Sequence, residues 1–170
     1  MSHSPEARPT PDVHLVDVDE TVLDQLLDLA KRDASPDEVA PPLGGPGWNP
    51  ERTAWFRCYH RAAFHGLDGE AGEKTWGITA AGRLAGSARL KLTADHDAAE
   101  TGIWLGRNFR SHGIGSAALR LILVEARRAG ITRVSARTLA GNLGAQRLLA
   151  GAGAALAHHD DGTVHAEVIL

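Results

Sequence analysis

Hydrophobic positions along this chain switch between two periods, and each switch marks an element. Val13-His14-Leu15-Val16-Asp17-Val18 alternates as a half-buried strand does. Leu23, Leu26, Leu27 and Ala30 then follow one helical face, with Asp19 or Thr21 available as its N-cap. From Ala34 to Pro50 both periods fail, and five prolines with three glycines predict a loop. Pro50 suits the first turn of a helix reaching about His65, ended by Gly66.

Strand character returns over Lys74–Thr79 and Arg83–Leu92, with Ala80-Ala81-Gly82 between them as a tight hairpin, and again over Glu100–Leu105. A polar loop, Gly106–His112, leads into a helix over Gly113–Ala129. Ile114, Ala117, Ala118, Leu121, Ile122 and Val124 are expected to form its buried face, and Gly130 ends it. Ile131–Thr138 reads as a strand. Asn142 is expected to cap a short helix that turns Ala145, Leu148, Leu149 and Ala152 inward. A turn at Asp160-Asp161-Gly162 precedes a last strand, Thr163–Ile169. The order β-α-α-β-β-β-α-β-α-β-β, without internal repeat or linker, predicts one mixed α/β domain over residues 13–170. Residues 1–12, polar and proline-bearing, are expected to form a flexible N-terminal segment.

Composition narrows the function classes. A length of 170 residues with 43% hydrophobic and 23% charged content suits one soluble domain with a substantial core. The net charge is −3 and no Lys/Arg block occurs, so neither nucleic acid nor an anionic membrane finds an electrostatic footprint. No apolar run approaches the ~20 residues of a membrane span, and no apolar signal-peptide core is seen. The chain reads as cytoplasmic. Cys58 stands alone, which excludes an internal disulfide; in an aromatic helical stretch it reads as a packing residue rather than a nucleophile. His158-His159-Asp160-Asp161 reads as a solvated hairpin turn rather than a metal site, and no metal is expected.

The segment richest in chemistry is Arg110-Ser111-His112-Gly113-Ile114-Gly115-Ser116. A strand and loop feed a glycine-bearing turn that opens a long helix, where backbone N–H groups and the helix dipole favour an anion. Gly113 and Gly115 would let a phosphate approach the backbone. The same residues, Gly113-x-Gly115-x-x-Ala118, also satisfy a dinucleotide fingerprint. That fingerprint requires the turn to follow the first strand directly and an acidic residue to close the next. Here a polar loop intervenes, three strands of antiparallel character come first, and the next strand ends in Ala136-Arg137-Thr138. A kinase-type P-loop fails because no Lys-Ser/Thr pair follows the second glycine.

Arg110-x-x-Gly113-x-Gly115, after a strand and opening a helix, resembles the acetyl-CoA pyrophosphate motif of the GNAT superfamily of N-acetyltransferases. Asn142-Leu-Gly-Ala145-Gln-Arg-Leu148-Leu149, ending at Gly153, resembles the superfamily's second signature. Gly102-Ile-Trp104-Leu-Gly is most similar to the branch that acetylates ribosomal-protein N-termini and its small-molecule relatives. The resemblance implies the acyl-CoA N-acyltransferase fold, a mixed and mainly antiparallel sheet with helices on both faces. It implies that Arg110, Ser111, His112, Gly113, Ile114, Gly115 and Ser116 hold the pyrophosphate of acetyl-CoA. It further implies that the backbone of Ile103, Trp104 and Leu105 pairs with the pantetheine arm between two splayed strands, and that Asn142 lies near the thioester. The acceptor would be a primary amine of a small molecule or peptide N-terminus, attacking directly. A non-catalytic acyl-CoA-binding sensor of the same fold is the alternative, and a homodimer is left open.

Amine acetylation needs a neutral amine and benefits from an acid at the departing thiolate. Glu100, on one strand face with Gly102 and Trp104, is the candidate base; its other reading is a solvated residue at a strand start. His96 and Asp97, just upstream, read as decoration of the preceding turn. The usual acids of the family are absent, because Leu149 and Ala145 stand where tyrosine or serine would. Either the thiolate leaves unassisted or Tyr59, the chain's one tyrosine, reaches in from the second helix. Trp48, Trp55 and Trp104 are the candidates for the acceptor pocket, whereas Phe56 reads as packing.

Overall fold

The computed structural model describes residues 11–170 apart from His96, so most of the expected flexible segment 1–12 lies outside the described residues. The chain enters the sheet through β1 (Val13–Asp17) and turns into α1 (Glu20–Asp33), where Asp19, not Thr21, caps the helix by accepting from the Val22 N–H at 2.8 Å. The proline-rich stretch is not wholly loop. Pro36 starts one helical turn, α2 (Pro36–Val39), because proline costs nothing at a first-turn position whose N–H has no helical partner. Pro50 does the same for α3 (Pro50–Ala62), which Asn49 caps through the Arg52 N–H. This helix stops before His65, since the chain already turns at Ala63 and passes through a left-handed Gly66 (φ 71°).

The sheet then builds antiparallel: β2 (Glu73–Ala80), β3 (Arg83–Leu92) and β4 (Ala98–Leu105). Ala81 and Gly82 both take positive φ, 49° and 76°, the conformation a two-residue hairpin requires to match strand twist. A 3₁₀ turn over Arg107–Phe109 leads to α4 (Ile114–Arg128), then β5 (Arg133–Leu139), α5 (Leu143–Gly151), β6 (Ala155–His158) and β7 (Thr163–Ile169). Among the described residues seven strands lie in the order β1-β2-β3-β4-β5-β7-β6, and only β4 and β5 run parallel.

Helices cover both faces. On one, Trp76, Ile78, Ala88, Leu90 and Ala99 meet Ile114, Ala118, Leu119, Ile122, Leu123 and Ala126 of α4. On the other, Leu23, Leu26, Leu27 and Ala30 of α1 close on Val18 and on Phe56 of α3. The buried face of α4 therefore differs from the expected one. Leu119, Leu123 and Ala126 point inward, Ala117 and Leu121 are half-buried, and Val124 is exposed. Apolar residues cover more than half of this helix's circumference, so periodicity alone could not choose the stripe that meets the sheet. In α5 the buried side chains are Gln146 and Leu149, with Ala145, Leu148 and Ala152 half-buried. Gln146 faces inward because its amide donates to the Leu139 and Ala140 carbonyls at 3.1 and 2.9 Å, which fastens α5 to the end of β5. Cys58, expected as packing, is exposed on α3.

Between β2 and β3 the register shifts at Ile78/Thr79, leaving Ala85 as a bulge beside Gly86. A Cβ at Gly86 would stand 2.0 Å from the Trp104 carbonyl oxygen and 2.9 Å from Leu105 Cα, both backbone atoms that cannot swing away. Gly86→Ala is expected to destabilise the protein by about 3 kcal/mol, at the upper end of ordinary overpacking, read from the urea midpoint. An unchanged midpoint would show that β4 yields without cost.

Candidate active site

Period-two alternation puts a polar set on one face of three adjacent strands. Glu73 and Thr75 of β2, Ser87, Arg89 and Lys91 of β3, and Glu100, Gly102 and Trp104 of β4 together floor a cleft of about 660 Å³. Trp55, Phe56, Tyr59 and His60 of α3 form its wall, and Glu38 and Val39 of α2 its rim. The opposite faces of these strands carry the apolar side chains that meet α4, so core formation on one side orients the polar set on the other.

Three contacts organise the cleft. Arg89 donates from Nη2 to Glu100 Oε1 at 2.7 Å, a diagonal pair across β3 and β4. Gly102 lies opposite Arg89 in the register, and a Cβ there would come within 3.0 Å of Arg89 Nε, so the glycine leaves space for the guanidinium. Burial opposes the charge on Arg89, yet the hydrogen bond to Glu100 and the nearby acids hold its pKa above the usual value. Tyr59 donates to Glu73 Oε1 at 2.8 Å and stacks on Trp55 with ring centroids 5.0 Å apart. Burial first, and then the charge and hydrogen bond of Glu73, push the Tyr59 hydroxyl far above the ordinary phenol range. His60 Nδ1 meets Thr75 Oγ1 at 3.0 Å, and burial pulls its pKa down to about 4.

Beyond Glu100 the sheet opens. Parallel pairing of β4 with β5 covers Ala98↔Arg133, Ala99↔Val134 and Glu100↔Ser135 and goes no further, while β5 continues beside β7 to Leu139. Ile103, Trp104 and Leu105 thus border a gap with no ladder on that side. The Arg110–Ser116 segment stands at its mouth. Gly113 takes φ 78° as the N-cap of α4, and Ser111 is also left-handed at φ 65°. Among the described residues, no backbone N–H from Gly113 to Ser116 has a hydrogen-bond partner in the chain. These donors and the helix dipole make an anion-binding concavity, which suits a diphosphate.

Gly115 has a packing reason for being glycine beside the expected one. It is buried, and a Cβ there would meet Leu148 Cδ1 at 2.7 Å, so it allows α4 and α5 to pack closely. Asp33, buried at the end of α1, accepts from the Asn108 N–H at 3.1 Å and holds the 3₁₀ turn before the cradle; Gly106 leaves room for its carboxylate. Arg110 donates from Nη2 to Glu38 Oε2 at 2.6 Å and from Nε to the Leu105 carbonyl at 3.0 Å. Because Arg52, itself buried, binds Asp37 at 2.9 Å, the short α2 is clamped between two arginines.

Of the residues singled out in the sequence, Trp55, Tyr59, Glu100, Ile103 and Trp104 come together on the cleft. Trp48 does not; it packs edge-on against Phe56, with centroids 6.3 Å apart. Asn142 caps α5, its Oδ1 accepting from the Ala145 N–H at 3.0 Å. Asp97 accepts from Thr132 Oγ1 at 3.1 Å on the turn before β4, and His96 lies outside the described residues. The pair His158-His159 ends in a turn where Asp161 accepts from Thr163, and among the described residues no cluster of His, Cys, Asp or Glu could hold a metal ion. Glu73, Arg89 and Glu38 were not among them. For Glu73 and Arg89 the signal was a polar residue at alternate positions of strands whose other face is apolar; Glu38, on the single turn of α2, carried no such signal.

A mostly antiparallel sheet that divides between a parallel pair, with a helix N-terminus facing the opening, is the acyl-CoA N-acyltransferase architecture. Residues 40–154 match the acetyltransferase (GNAT) family, and the chain belongs to that family. Solved structures agree with the fold. RimJ of Mycobacterium smegmatis, in complex with a CoA disulfide, is 21% identical with a TM-score of 0.74, covering 95% of this chain and 83% of its own. RimL, a ribosomal L7/L12 α-N-protein acetyltransferase in complex with coenzyme A, is 19% identical at TM-score 0.72, covering 95% and 97%. The yncA structure from Salmonella typhimurium, with acetyl-CoA, is 15% identical at TM-score 0.65, covering 93% and 94%. No curated protein matches the chain. Among the described residues no helix is long and apolar enough to cross a membrane.

His60 carries a pH prediction. Its folded-state pKa of about 4 lies below the ordinary 6.5, so between those values the unfolded chain binds the proton and the folded chain does not. Its contribution is complete above about pH 6.5 and is lost as the pH falls toward 4, by up to about 3 kcal/mol. Urea midpoints between pH 7 and 4.5 should fall less steeply in His60→Phe than in the parent. Equal slopes would mean that His60 titrates normally.

Proposed function

We propose that this protein transfers acetyl from acetyl-CoA to the primary amine of a small molecule or peptide N-terminus. The observation that carries the reading is the adjacency of two features: a divided sheet with an anion-binding helix N-terminus, and a polar cleft bearing Glu100 beside that division. The N–H groups of Gly113 to Ser116 would hold the pyrophosphate, with Arg110, Ser111 and His112 completing the cradle. The β4 backbone from Ile103 to Leu105 would take the extended arm as an added strand. Asn142 would face the thioester end with the amide nitrogen that its capping bond leaves over.

Acetyl-CoA supplies an activated thioester, and the amine nitrogen gains the acetyl carbon as the carbon–sulfur bond breaks. Glu100 takes the proton that the acceptor's ammonium group must lose before its lone pair can attack. Trp55 and Trp104 bound the space in which the amine is held, and that positioning supplies a large share of the rate. Tyr59 has a positioning role in this scheme. Its proton is donated to Glu73 and its raised pKa makes it a reluctant acid, while a thiolate is a fair leaving group without one.

Thiol release from acetyl-CoA, followed over a panel of amines, tests the reading. Glu100→Gln is expected to lower kcat by about 10²- to 10⁴-fold, the ordinary weight of a general base. CoA binding without turnover of any amine would leave the non-catalytic sensor in its place. The cradle has a separate test. Gly113→Val puts a side chain where the backbone must approach phosphate, and the loss of one or two charge-assisted hydrogen bonds should weaken CoA about 10- to 100-fold by calorimetry. A folded variant with parental affinity would move the pyrophosphate elsewhere.

A further inference from the structure

The charges in the cleft are balanced, and their balance bears on the acceptor. Of the acidic residues lining it, Glu38 is tied to Arg110, which leaves Glu73 and Glu100 facing Arg89 and Lys91. His60, held at a low pKa, is neutral at physiological pH. A polyamine or other purely cationic acceptor could pair with Glu100 or Glu73 but brings no anion for Arg89. Arg89 has five N–H donors, and among the described residues its side chain makes one hydrogen bond, from Nη2 to Glu100. Yet Arg89 is two-thirds covered, with 30% of its side chain accessible, so an anion meeting it there is partly withdrawn from water.

Resting on the transferase reading above, we propose that the acceptor is a free α-amino acid, with Arg89 as the residue that selects its carboxylate. Arg89 and Glu100 place a cation and an anion side by side, 2.7 Å apart. An α-amino acid carries an anion and a cation separated by a single carbon. Laid antiparallel to the pair, its carboxylate meets the guanidinium and its ammonium group meets Glu100, the group that takes the proton. Each charge entering the cleft then finds its opposite, and none is left desolvated alone. Gly102 is part of this arrangement because a side chain there would press on Arg89 Nε. Glu73, 6% exposed and held by Tyr59, adds a second negative charge near Arg89.

Matched sets of acceptors decide the matter on the unaltered protein: an α-amino acid, its carboxamide, and the amine left when the carboxylate is removed, for several side chains. The amino acid should exceed both partners in kcat/KM by about 10- to 100-fold, the usual weight of a hydrogen-bonded charge pair. Turnover of carboxamides or decarboxylated amines at or above that of the acids would overturn the assignment while leaving the transferase reading intact. Silence toward every amine would overturn both. In Arg89→Lys and Arg89→Gln the readout is the ratio of acid to carboxamide, since absolute rates also reflect the lost partner of Glu100. That ratio should fall toward one in Arg89→Gln and lie between in Arg89→Lys. An undiminished ratio in a folded Arg89→Gln protein would remove Arg89 from carboxylate selection.

Discussion

A strand inside a sheet needs partners for its backbone donors and acceptors on both sides, and β4 has them on one side only after Glu100. This single departure organises the rest of the site. Because β5 leaves β4 after three paired residues to follow β7, a wedge opens within the sheet, not at its rim. The wedge exposes polar backbone that a ligand can satisfy. It also brings the start of α4, which must cross from β4 to β5, to the mouth of the opening. Among the described residues the crossover is the only parallel connection in the sheet, so the open helix terminus and the unpaired strand edge arise from one topological fact.

The cleft obeys a second constraint, which is electrostatic. Half-buried charges are tolerated where they are paired, and nearly every charge near this cleft has a named partner: Arg89 with Glu100, Arg110 with Glu38, Arg52 with Asp37. These pairs also carry mechanical information. Arg52 and Arg110 both bind α2, so the rim of the cleft is joined to the segment before the N-terminus of α4. Asp33 adds a further tie from α1 to the turn before that helix. The cleft and the helix terminus beside it are therefore coupled through side chains instead of through the sheet alone.

What could be read in advance follows from the range of the interactions involved. Asn142, Asp19, Pro50 and the Ala81-Gly82 turn act within a few residues of themselves, and each took its expected local role. The single turn of α2 was hidden because prolines mark both loops and helix starts. The inward face of α4 was legible only in part, at Ile114, Ala118 and Ile122, since several apolar stripes competed and only the sheet could choose among them. Gly115 has a second constraint that local pattern could not show, the close approach of Leu148, a residue more than thirty positions away.

Local patterning therefore determined the element order, the hairpin, the helix caps and the glycine turn before α4, because those depend on backbone preferences and neighbouring side chains. Membership of the acetyltransferase family was legible in the same way, through short motifs that act on contiguous backbone. The pairing of Glu100 with Arg89, the anchoring of Tyr59 on Glu73 and the displacement of Trp48 from the cleft were not legible. Each depends on strand register and on which helix lies over which face. Those are settled only when the two cores close, since a charge finds its partner across strands that the sequence holds far apart.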